Sequence, residues 1–166
     1  AQVRGGQSAM ATVADPRILQ LARVYNPKKI TLPVLEIVDT PGLSRTHEGN
    51  PARLALIREA GCLLLLVAAF DGSDPMPDVR NFDEDLLLAD MDVVSGRIAR
   101  VEESLKKPLP RQDHEHLLEE YETLKLVLAA MESGKPLREA DMTGQEQKAT
   151  RAFRLLSEKS RMVIVN

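Results

Sequence analysis

Residues 39–43, Asp-Thr-Pro-Gly-Leu, place a carboxylate, a hydroxyl and a glycine together directly after the apolar run Val34–Val38. A carboxylate at the carboxyl end of a parallel strand stands where doubly wound sheets bind ligands. Asp39 suits a magnesium ion reached through water, and the N–H of Gly42 suits a terminal phosphate. Phosphate oxygens approach a backbone that closely only where no side chain intervenes. Asp, Pro and Gly are also the commonest turn formers, so on these residues alone a plain turn is the stronger explanation. The strand before the motif, the helix after it and a second apolar strand bring the two readings level.

The elements expected to hold the motif follow from local patterning. Residues 1–14 read as a flexible stretch with a loop at Gly5-Gly6. Asp15 caps a short helix with Pro16 in its first turn, and Ile18, Leu21, Ala22 and Tyr25 share a face. Residues 30–39 read as a strand, with Pro33 marking an edge or bulge near its start. Residues 51–61 read as a helix stopped by Gly61. The near-continuous apolar run 62–70 suits a strand covered on both faces, and Cys62 within it a small core residue. Helix, strand, helix, strand in this order implies a right-handed crossover and an α/β sheet.

Beyond a loop at 71–78 the period changes. Leu87, Met91, Val94, Ile98, Val101 and Leu105 are spaced four and three by turns, as are Leu117, Tyr121, Leu124, Leu128 and Met131. Two such seams joined by a proline-containing loop predict an antiparallel helical hairpin, its first helix running from Phe82 to Lys106 over about 37 Å. Two ordinary amphipathic helices are the plainer alternative, and the charged faces opposite each seam favour the hairpin. Thr143 and Glu146 have capping-box spacing and open a helix through Leu156, and residues 161–166 close as a short buried strand. His114 and His116, with Asp113 and Glu115, do not share a helix face and read as a solvated helix start rather than a metal site.

Composition bounds the remaining possibilities. The 166 residues suffice for one domain, or one domain with an insertion, and a 43% hydrophobic fraction is that of a globular protein. A net charge of −3 disfavours a polyanion-binding surface over the whole chain, so specific DNA is not expected, although local basic patches remain open. One cysteine cannot form an internal disulfide, and no apolar run approaches the roughly 20 residues of a membrane span. No signal sequence is apparent, so the expectation is a cytoplasmic chain without a membrane partner. Ala1 at the start, and Asn166 directly after an apolar run, suggest a piece of a larger protein.

The words "DPRI", "PKK", "EIVDTPGL", "EGN", "IREA", "LLLADM", "ESGKPLRE" and "LLSEK", in this order and spacing, resemble the Obg-like (YchF-type) family of P-loop NTPases from about Ala14 to Asn166. The resemblance implies a partial, doubly wound, mostly parallel P-loop core with an antiparallel coiled-coil insertion. Its segments are then 1–81 (core with switch regions), 82–132 (helical hairpin) and 133–166 (return to the core). By the same resemblance Asp39, Thr40, Pro41 and Gly42 form switch II, and Asn166 opens the base-reading motif. Mg²⁺ with GTP or ATP is the implied cofactor set, with Asp39 the metal residue through water, and Ser8 and Thr12 stay alternatives for the switch I hydroxyl.

The resemblance implies nucleotide hydrolysis coupled to the ribosome or another translation component. The family's phosphate loop GxxxxGK[ST] does not occur in these residues, nor does its C-terminal TGS domain, so the chain alone is expected to be inactive. Leu43 stands where many GTPases carry the glutamine that orients water, which implies slow hydrolysis in the parent protein. His47 is the low-ranking catalytic candidate, against the commoner role of a solvated loop histidine. Two alternatives stand beside the enzyme: a non-catalytic interaction module acting through the hairpin, and a degenerate relative that dimerises through an open sheet.

Overall fold

The computed structural model describes residues 7–43, 50–70 and 72–166. It divides into two compact units, Ala1–Glu48 and Gly49–Asn166.

The first unit is built on a strand pair. β1 (Gln7–Thr12) runs antiparallel to β2 (Val34–Asp39), from Gln7 opposite Asp39 to Thr12 opposite Val34. The flexible reading of residues 1–14 is thus corrected for 7–12, and Gly5-Gly6 lies outside the described residues. The sequence Gln-Ser-Ala-Met-Ala-Thr carries no β-branched run to announce a strand. Pairing with β2 supplies the backbone bonds instead. β2 begins four residues later than expected, and the carbonyl of Pro33 accepts the Val13 N–H at 2.9 Å.

α1 (Pro16–Tyr25) starts as predicted. Asp15 accepts the Arg17 N–H at 2.9 Å, Pro16 opens the first turn, and Asn26 ends the helix in the left-handed region at φ 46°. None of its residues is buried, and Leu19, Leu21, Val24 and Tyr25 are exposed.

The second unit holds the hydrophobic core. α2 (Asn50–Glu59) leads to β3 (Cys62–Val67), which pairs in parallel with β4 (Ser160–Val165). β2 and β3 therefore belong to separate two-stranded sheets, one antiparallel and one parallel, within the expected mixed α/β content. The expectation that β3 is covered on both faces fails. Leu63 and Val67 are buried, whereas Leu64 and Leu66 emerge on the opposite face beside Met162 and Ile164. Cys62 has the same parity as Leu64 and Leu66 and is exposed, which corrects its reading as a core residue.

Between these strands runs the helical pair α3 (Met76–Leu105) and α4 (Arg111–Glu132). α3 begins six residues earlier than predicted because Asp74 accepts the Met76 N–H at 3.0 Å and Pro77 fits the first turn. Its 30 residues span about 45 Å. Pro108 and Pro110 in the five-residue connection end one helix and precede the next, and the two helices pack as a hairpin.

Leu87 and Val94 of α3 and Leu124, Val127 and Met131 of α4 are almost wholly buried in one cluster, joined by Leu137 and Leu155 from the return segment. Each is worth about 1.5–3 kcal/mol of apolar burial. Two residues beyond the end of α4 stands Gly134, whose φ of 78° suits a residue without Cβ and whose N–H donates to the Met131 carbonyl at 2.9 Å.

α5 (Gly144–Thr150) opens with the predicted capping box. It stops well short of Leu156: a 3₁₀ turn follows at Arg151–Phe153, and Arg154 adopts φ 50°. That reversal turns Leu155 and Leu156 into the core, where helical continuation would not place both.

Candidate functional site

Asp39 ends β2 and is exposed, as are Pro41 and Gly42, whereas Thr40 and Leu43 are half-buried. Gly42 is not in the left-handed region. A Cβ added there meets nothing within 4 Å. Neither backbone strain nor crowding among the described residues therefore requires glycine at this position. Ser8 pairs with Val38, so strand alternation directs its hydroxyl to the face opposite Asp39, and Thr12 lies at the far end of the pair. Neither candidate hydroxyl is brought beside the carboxylate.

Asn166 continues the parallel ladder of the second unit. Its N–H donates to the Val67 carbonyl at 2.9 Å and its carbonyl accepts the Ala69 N–H at 2.7 Å. Its exposed side chain thus stands at the carboxyl ends of β3 and β4, the edge at which α/β sheets bind ligands. His47 lies outside the described residues. His114 and His116 are exposed on the first turns of α4, and the described residues contain no cluster of three or more acidic, histidine or cysteine side chains that could hold a metal. No described helix is long and apolar enough to cross a membrane.

Three charged groupings on α3 were not anticipated. Asp90 is fully buried: Oδ1 accepts from Arg58 of α2 at 3.0 Å, and Oδ2 accepts the N–H and hydroxyl of Ser157 at 2.7 and 2.9 Å. The same Arg58 nitrogen donates to the carbonyls of Phe153 and Arg154, both at 3.3 Å. One heptad earlier, Asp83 receives Arg138 at 2.8 Å and also Arg161 of β4. One heptad later, Arg97 forms a two-bonded pair with Glu120 of α4 at 2.7 and 2.9 Å. Asp83, Asp90 and Arg97 form a row spaced by seven beside the apolar seam. That spacing was visible in the sequence, but the charge on it reads as a solvated face.

Glu158 lies next to this cluster. Partial burial, together with the charge of Asp90, raises its pKa above the ordinary 4.5. A folded-state pKa above the unfolded one means that the protonated carboxyl favours the fold. That contribution is complete below pH 4.5 and is lost as pH rises through the folded-state value. Glu158→Gln is accordingly expected to flatten the fall in thermal midpoint above pH 4.5, and an unchanged pH profile would exclude this role.

A cleft of about 480 Å³ between α2 and α3 contains none of residues 39–43.

The fold is similar to that of the Schizosaccharomyces pombe YchF GTPase, on whose structure it superposes with a TM-score of 0.81 at 22% identity, over 96% of this chain and 46% of that one. In sequence the chain is 30% identical to the ribosome-binding ATPase YchF of Bacillus subtilis, over 93% of this chain and 44% of that protein. It is 31% identical to the Obg-like ATPase 1 of Oryza sativa, over 95% and 42%. The chain is thus similar to YchF and Obg-like proteins over nearly its whole length, in sequence and in fold. It spans somewhat under half the length of these relatives. No protein-family model matches it.

Proposed function

We propose that this chain is the switch-bearing portion of an Obg-like nucleotide-dependent NTPase, with a partial P-loop core at 1–81 and 133–166 and a coiled-coil insertion at 82–132. The observation that carries the reading is the end of β2: an exposed Asp39 leads into a turn whose Gly42 serves neither packing nor a left-handed backbone among the described residues. A glycine that the fold does not require is what close approach of a phosphate requires.

The donor set fits Mg²⁺ of the nucleotide kind. Mg²⁺ keeps several waters and needs one or two carboxylates plus phosphate oxygens, so Asp39 through water suffices where the described residues form no protein cage. Asn166 is the residue on the base side, at the carboxyl edge of its own sheet. Half-buried Leu43 donates no hydrogen bond to water, which supports slow turnover of GTP or ATP. His47 is retained as a candidate for assisting water. The ribosome-binding name of the Bacillus subtilis relative supports a cytoplasmic partner in translation, and we assign that contact to the hairpin.

In the full-length protein, Gly42→Ala is expected to leave thermal stability within about 1 kcal/mol of wild type. The same change should weaken binding of a non-hydrolysable triphosphate analogue by on the order of tenfold, with diphosphate binding retained. Equal triphosphate affinity in the two proteins, by calorimetry, would remove Gly42 from the phosphate site.

The concentration of core residues in the hairpin and its return segment favours a second reading, a nucleotide-independent interaction module. Partner affinity indifferent to nucleotide would select it.

A further inference from the structure

We propose that Arg58 is a latch through which α2, the helix following the Asp39–Leu43 segment, reports its position to the helical hairpin. The inference rests on the switch reading above and adds a regulatory path to it.

α2 buries little apolar surface: only Asn50 and Ile57 of its ten residues are buried, and no described element packs extensively against it. A cleft of about 480 Å³ runs along its α3 side, lined by Leu54, Ala55, Arg58, Ala89, Asp92 and Arg154. Apolar packing that would fix the helix rigidly to α3 is therefore thin. Across the gap one guanidinium nitrogen meets three acceptors: the buried Asp90 carboxylate of α3 and two carbonyls of the 3₁₀ turn before Leu155.

A charge-assisted contact of this kind is strongly dependent on distance and direction, so it has two distinct states, made and broken. Its receiving end is fixed. Asp90 is also held by the N–H and hydroxyl of Ser157, and lies one turn from Leu86, Leu87 and Val94 in the hairpin core. Displacement of α2 breaks the contact on the helix side and leaves a partly compensated buried carboxylate at the hairpin base. The energetic consequence thus falls on α3 rather than on α2.

The test is hydrogen exchange of α3 and α4 in the full-length protein, without nucleotide and with a non-hydrolysable ATP or GTP analogue, for wild type, Arg58→Gln and Arg58→Lys. In wild type the analogue should change protection around residues 83–94 by on the order of fivefold or more. Arg58→Gln should bind the analogue but lose that difference, and Arg58→Lys, which keeps the charge, should restore part of it. A purely structural Arg58 would raise exchange equally in both states and leave the difference intact, which overturns the latch. A wild-type protein that binds neither analogue overturns the switch reading and the latch with it, whereas binding without any change in α3 overturns the latch alone.

Discussion

Replacing Asp90 by alanine is expected to destabilise the second unit by about 3–5 kcal/mol. The carboxylate is fully buried and serves three donors, two from Ser157 and one from Arg58. Removing it strands the Ser157 N–H and hydroxyl without an acceptor, each at a cost of about 1–3 kcal/mol, and leaves a largely buried guanidinium without its counter-charge. Asp90→Asn should cost less, since an amide oxygen still accepts while its NH₂ opposes the donors. Asp92→Ala, exposed on the same helix, should remain within about 0.5 kcal/mol of wild type. Urea unfolding followed by helix signal separates these cases. Similar midpoints for the Asp90 and Asp92 alanine variants would show that the carboxylate is not buried in this network.

The second large effect is expected on α4. Leu124→Ala should lose about 2–5 kcal/mol, because Leu124 is fully buried against the α3 seam and the surrounding helices close a cavity only in part. Leu126→Ala, two residues away and 62% exposed, should change stability by no more than about 0.5 kcal/mol, with alanine's helix propensity offsetting lost contact. The ratio between the two measures the rotation of α4 about its axis. Equal losses would mean that the helix presents another face to α3.

The pattern of heptads announced two helices that pack together, but neither the start of the first nor the whole of their seam. Val127 and Thr123 are buried, whereas Tyr121 and Leu128 are only half-buried. A straight α-helix drifts by ~20° per heptad relative to a 3.5-residue repeat, so neighbouring positions rotate into the interface toward the hairpin base. β1 escaped notice for a different reason. Its Ala, Ser and Met residues have no intrinsic strand preference, and its pairing partner lies more than twenty residues further along. Asp83 and Asp90 were hidden because sequence distinguishes charge but not burial, and the arginines that complete them come from Arg58, Arg138 and Arg161.

The sequence by itself determined whatever depends on neighbours a few residues apart. Asp15 with Pro16, the Thr143–Glu146 box and the proline break between α3 and α4 are all short-range, and each is present where expected. Tertiary structure decided which strands pair and which faces are covered. The apolar run of β3 reads the same whether one or both of its faces are buried, yet Leu63 and Val67 are enclosed and Leu64 and Leu66 are not. It also decided which charges are internal. A buried carboxylate is tolerated only where distant donors converge on it, and that convergence is a property of the folded chain.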